Sequence, residues 1–291
     1  MHHPLMTRGL AALSLLLLAG AAPPEPAPSG DPGQEIVVRA RTDEEVDRFV
    51  QALTQNARGR QIARWNDPIC PRVIGLDPSH ASFVVARIGA VARQFHIPVA
   101  RGRCHGNIVV VVAGDADDFT AALVRRYPRL FRGRRDNLAT RDEIAGLLQP
   151  RPIRWFAASA TGNAEGAPIY DGIYRPSTMS RLTETTAENA TLAFIIVDAN
   201  KLQGLVWRQL AEYLALVALA RPAMDGPYDV TTLLSIFQVR DTGGQGPRQL
   251  TSWDRNLLRG LYMTNGALSA ARQRASIAAQ MERAPDSTDA Q

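Results

Sequence analysis

The sequence predicts an α+β fold, with a mixed α/β sheet layer in its N-terminal half and a mainly helical C-terminal half. Ile108–Val112 is five β-branched residues in a row, the mark of a buried strand. On either side of it, segments with apolar residues at helical spacing alternate with strand candidates, as they do when helices cover a sheet. From Gln203 to Ala220 the chain then reads as one long apolar helix.

In chain order, Glu35–Arg39 is a short strand candidate. Asp43 caps the first helix, with Val46, Phe49, Val50 and Leu53 on its apolar face. Arg64–Leu76 contains Trp65 and a Val73-Ile74 strand. Asp77-Pro78 starts the second helix, proline taking the first helical position, and Phe83, Val84, Ile88 and Val91 face the core. Asp117–Tyr127 is a further helix, and Thr140–Leu148 another, with Thr140 and Glu143 at capping-box spacing. Pro150-Arg151-Pro152 ends it and marks the boundary between halves. Arg154–Ser159 is a strand, Ala160–Glu188 a polar, irregular loop that is functional or covering, and Thr191–Val197 the strand before the long helix.

The chain has 291 residues, 45% hydrophobic and 21% charged, an ordinary globular composition. Met1–Arg8 is basic, Leu10–Ala22 is a short apolar run, and Ala19-Gly20-Ala21 supplies small residues for cleavage. This reads as a secretory signal peptide, with an uncleaved N-terminal anchor as the alternative. The expected division is a signal peptide (1–22), a flexible linker (23–33), an α/β part (34–150), a C-terminal part (151–275) and a polar tail (276–291). No other stretch approaches the length of a bilayer span, so no transmembrane segment is expected in the mature chain, and the location is secreted or periplasmic.

In such a compartment the pair Cys70 and Cys104 is expected to be bridged, leaving His105 as an ordinary loop residue. Of 33 basic residues only Lys201 is a lysine, and the sequence pI is about 9.7. Export argues against a nucleic-acid partner, and an anionic envelope surface is the better counterpart. Six arginines lie between Arg125 and Arg135, read as a solvated helix end and loop, with an anion-binding patch as the alternative.

The segment from Ala211-Glu212 to Ala220-Arg221 resembles the metzincin zinc-protease helix H-E-x-x-H-x-x-G-x-x-H. Leu234-Ser235-Ile236-Phe237 is similar to that family's S-I-M turn, and Leu250-Thr251-Ser252-Trp253-Asp254 through Leu258–Tyr262 to its closing helix L-s-x-x-D…L-x-x-L-Y. The resemblance implies a zincin-like fold, with the C-terminal part as its zincin-like subdomain. In this register Ala211, Ala215 and Arg221 stand at the three zinc-ligand positions, Ala218 at the glycine, and Glu212 at the general base. Ser235, Ile236 and Phe237 form the turn below, with Phe237 at the hydrophobic base, while Asp254 and Tyr262 belong to the closing helix.

Alanine carries no donor atom, and no histidine follows His105, so an ordinary zinc site cannot be built on this helix. No cofactor is expected, zinc included. The resemblance then implies an exported cell-envelope protein with a metalloprotease-like fold but no usual zinc site, acting as an inactive binding or structural module. Its cleft could hold a peptide or envelope component by strand addition along Thr191–Val197. The alternative is a divergent metal-dependent hydrolase using Glu212 as base with nonstandard ligands such as Asp225 and Asp229.

Overall fold

The computed structural model describes residues 42–54, 61–131, 141–167, 169 and 183–284. The signal-peptide, linker and Glu35–Arg39 readings, Thr140, half of the arginine run and residues 285–291 lie outside these.

One sheet organises the rest. Its strands are β1 (Pro71–Ile74), β2 (Ile108–Ala113), β3 (Ile153–Asn163) and β4 (Thr186–Asp198), in the order β1-β2-β4-β3. The first three in that order run parallel, and β3 is antiparallel to β4. Strands from both sides of Pro150–Pro152 therefore share one sheet.

The fold class is mixed α/β. Both faces of the sheet carry helices, because β2 and β4 bring apolar side chains to each, while Arg72 and Ile74 of β1 stay exposed. On one face Ile108, Val110, Ile195, Val197 and Trp155 join the main core with the helices α2 (Pro78–Gln94) and α6 (Trp207–Ala220). On the other, Phe156 packs on Phe131 at 4.8 Å and on Phe194 at 5.3 Å, under α3 (Ala116–Arg126), α4 (Pro128–Phe131) and α5 (Arg141–Leu147). Arg154 lies fully buried on this second face. Its guanidinium pairs with Asp117 and donates to the Leu147 and Arg151 carbonyls at 3.3 and 2.9 Å. Without those partners a buried charge there would be prohibitive.

Local chemistry sets the element ends. Asp77 accepts the Ser79 and His80 N–H groups to cap α2, and Asp115 does the same for α3 through Asp118. The long helix begins at Trp207 rather than Gln203, because Gly204 turns the chain at φ +78 and Val206 is still extended.

Two expectations are corrected by the structure. The polar stretch after Ser159 is not wholly irregular: β3 continues to Asn163 and β4 begins at Thr186. Ser159 and Thr161 donate hydroxyl hydrogen bonds across the hairpin to Glu188, at 3.1 and 2.6 Å, so polar side chains find partners inside the sheet. Gly162 sits where a Cβ would stand 2.7 Å from the Ala167 carbonyl. The supposed tail from 276 is also structured as far as Arg283, since α9 (Ala270–Arg283) buries Gln273, Ile277, Ala278 and Met281. It packs on α8 (Ser252–Met263), and α1 (Asp43–Thr54) packs on α9. A short helix, α7 (Ile236–Asp241), follows a 3₁₀ turn at Leu233–Ser235. No described helix is long and apolar enough to cross a membrane.

Cys70 and Cys104 form a disulfide with a sequence separation of 34. It joins the segment before β1 to the one before β2, alongside the Ile69–Val99 bridge. Closing a loop of this length restricts the unfolded chain by about 3–4 kcal/mol in the chain-entropy description. Thiol titration of denatured, unreduced protein should find almost no free thiol, and the double substitution Cys70→Ser/Cys104→Ser should lower stability by about that amount in a urea melt.

Candidate functional site

The site implied by the resemblance centres on α6, where every residue from Gln209 to Ala220 is buried. An enclosed helix must find protein partners for its polar groups, and those of α6 come from distant segments. Trp65 Nε1 donates to the Ala218 carbonyl at 2.8 Å, and the Tyr262 hydroxyl donates to the Leu219 carbonyl at 2.9 Å. Just beyond the helix, Trp155 Nε1 donates to Pro222 at 2.9 Å. Arg221 ends α6 in the left-handed conformation, φ 55, and its N–H returns to Val217. Of the three aromatic donors only Tyr262 was singled out from the sequence, since a donor reaching a helix end leaves no spacing signal.

Ala211, Ala215 and Ala218 are all fully buried and bring no heteroatom to the helix surface. Glu212 is likewise 0% exposed, yet both of its carboxylate oxygens are hydrogen-bonded. Its Oε1 accepts from Arg87 of α2 and from Arg208 Nε at 3.0 Å, and its Oε2 accepts the Leu250 N–H at 2.6 Å. Burial pushes its pKa up, but the Leu250 N–H and the Arg87 and Arg208 guanidiniums together hold it below the ordinary value. The carboxylate ties α6 to α2 and to the approach to α8.

Tyr213, the next residue, meets Trp155 at 6.4 Å and Phe237 at 5.5 Å, both edge-on. Burial pushes its phenol pKa well up. Ser235 and Ile236 are buried in the turn beneath, where the Ser235 hydroxyl donates to the Thr232 carbonyl at 2.8 Å. Phe237 itself is only half-buried, so it forms one wall of the contact rather than its floor.

Asp254 joins this turn to α8. It accepts the Thr232 hydroxyl at 2.6 Å and the Leu233 and Thr251 N–H groups at 2.9 and 3.0 Å, and forms a capping box with Thr251. Burial raises its pKa against the pull of these hydrogen bonds. The three segments that carry the resemblance thus close a circuit: α6 to the turn through Tyr213 and Phe237, the turn to α8 through Asp254, and α8 back to α6 through Tyr262.

Other expectations are placed differently. Trp207 stacks on His80 with ring centroids 4.0 Å apart, and Trp253 meets Phe49 edge-on at 5.0 Å. Asp225 pairs with Arg151 at 2.9 Å, and Asp229 accepts the Thr231 N–H at 2.9 Å. Among the described residues no three of His, Cys, Asp and Glu converge in a group suited to a metal. Thr191–Val197 is not an edge, because β4 is paired on both sides, so strand addition along it is sterically closed. The outer position belongs to β3, where the Trp155 N–H is directed at Met224 Sδ, 3.4 Å away.

Glu212→Ala would leave two guanidiniums and one buried N–H without their acceptor. A loss of about 2–4 kcal/mol is expected, at the low end if the exposed Arg208 re-solvates. Because the folded-state pKa of Glu212 is depressed, its contribution is present above the unfolded value and disappears as pH falls through the folded one. The variant should therefore show a flatter loss of stability below the ordinary glutamate range, measured by denaturant midpoints across pH. Phe237→Ala should cost about 1–3 kcal/mol, below the value for a fully enclosed aromatic.

No family model, curated protein or solved structure matches the chain.

Proposed function

We propose that this chain is an exported cell-envelope protein whose zincin-like arrangement around α6 serves as a binding or structural module without metalloprotease chemistry. The observation that carries the reading is the state of Glu212. A general base needs a free lone pair within reach of a water, and in this fold needs a metal to acidify that water. Here both carboxylate oxygens accept hydrogen bonds from Arg87, Arg208 and Leu250, and the group is enclosed. The position has become a structural tie. The order and mutual contact of α6, the Ser235 turn and α8 support the fold likeness.

The occupant that fits is an extended peptide or other envelope component. It would dock at the outer edge of β3 beyond Trp155, where main-chain groups face away from β4 and the sheet order leaves the strand without a second neighbour among the described residues.

Purified chain, offered zinc and other divalent ions, should retain well under one equivalent after gel filtration and leave a casein or peptide-library substrate intact. A tightly held equivalent that disappears in Glu212→Gln, together with cleavage, would replace this reading with a divergent metal-dependent hydrolase.

A further inference from the structure

We infer that the disulfide-pinned loop Arg101–His105, together with Arg72 and Ile74 of β1, is a docking face for a bilayer surface rich in anionic phospholipid headgroups. The inference is independent of the fate of Glu212. Charge distribution is its first support: between Asp67 and Asp115 the only acidic residue is Asp77, at the far end of β1 from the loop. Arg72, Arg101 and Arg103 are all exposed, and among the described residues none of them makes an ion pair or side-chain hydrogen bond.

The fold gathers these groups. Ala100 donates its N–H to the Ile69 carbonyl at 2.9 Å, and Cys104 is bonded to Cys70, so both ends of the loop are fixed beside the start of β1. The Arg72 side chain lies across Gly106, where a Cβ would come 2.8 Å from its Cδ. At the tip, Gly102 takes φ +71 with nothing within 4 Å of its would-be Cβ, and the arginines on either side of it are exposed. A loop held in this way loses little conformational freedom on binding.

An exposed isoleucine separates a bilayer from a soluble anion. Ile74 is 56% exposed and, two residues from Arg72 on a strand, points to the same face. Val109 and Val111, their partners on β2, are half-buried beside them. Guanidiniums for phosphate and an apolar side chain for the headgroup–acyl boundary form the combination that peripheral binding uses.

Vesicle flotation of the purified chain tests this, comparing phosphatidylglycerol-containing vesicles with pure phosphatidylcholine. Wild type should partition preferentially to the anionic vesicles and be released at salt of about 0.5 M. Arg72→Gln/Arg101→Gln/Arg103→Gln should weaken that partition by roughly a hundredfold, at about tenfold or less per arginine near a charged surface. It should keep the wild-type melting curve and carries the same N-terminal apolar run, which cancels in the comparison. The control Arg125→Gln/Arg126→Gln/Arg129→Gln, at the end of α3 and in α4, should bind like wild type. Equal binding to neutral vesicles, retention by the first triple variant, loss in the control instead, or displacement by millimolar inorganic phosphate would each overturn the inference.

Discussion

The enclosure of α6 is the constraint on which the rest of the molecule depends. A helix sunk in protein on all sides cannot leave a carbonyl or a carboxylate to water, so each polar group must be met by another part of the chain. Trp65 and Tyr262 meet the carbonyls of its last turn, and Arg87 and Leu250 meet its one acid. Those four partners lie before the sheet, in α8, in α2 and in the loop ahead of α8. Their positions relative to one another are therefore fixed by the helix they serve.

On the zincin-like reading proposed above, the same constraint accounts for a helix that resembles a catalytic one without carrying its ligands. Small residues at Ala211, Ala215 and Ala218 are what an enclosed helix needs for close approach, and at Ala211 and Ala215 they are also what a ligand position cannot tolerate. Glu212 is compatible with enclosure only because two guanidiniums and an N–H surround it, and those contacts are the ones that would keep it from a substrate. Stability and reactivity compete for one carboxylate, and here the geometry favours stability.

Much of the fold was legible because its signals are local. β2 declares itself by consecutive β-branched residues and α2 by Asp77-Pro78, while α8 was marked only through the likeness of Leu250–Tyr262 to a closing helix. The β3–β4 hairpin was half-hidden because its outer part is polar, and the pairing of Ser159 and Thr161 with Glu188 is a property of register rather than composition. At the site, the helix, turn and closing-helix segments could be marked in the sequence. The partners that determine what Glu212 does could not, because Arg87 lies 125 residues earlier and nothing near it announces the contact. Trp65 and Trp155 were illegible for the same reason.

The hydrogen bond from Trp65 to Ala218 spans 153 residues, and Arg274 reaches Thr54 across 220. Contacts of that span form late, since the closure entropy of the intervening chain must be overcome before they return anything. The parallel pairing of β2 with β4 adds another long closure. The most apolar helix among the described residues is thus completed only when Trp65 and Tyr262, far apart in the sequence, have both reached it. Folding should be slow for a chain of this size, with Leu214–Ala220 the segment left longest without its cover and most in need of protection from aggregation meanwhile.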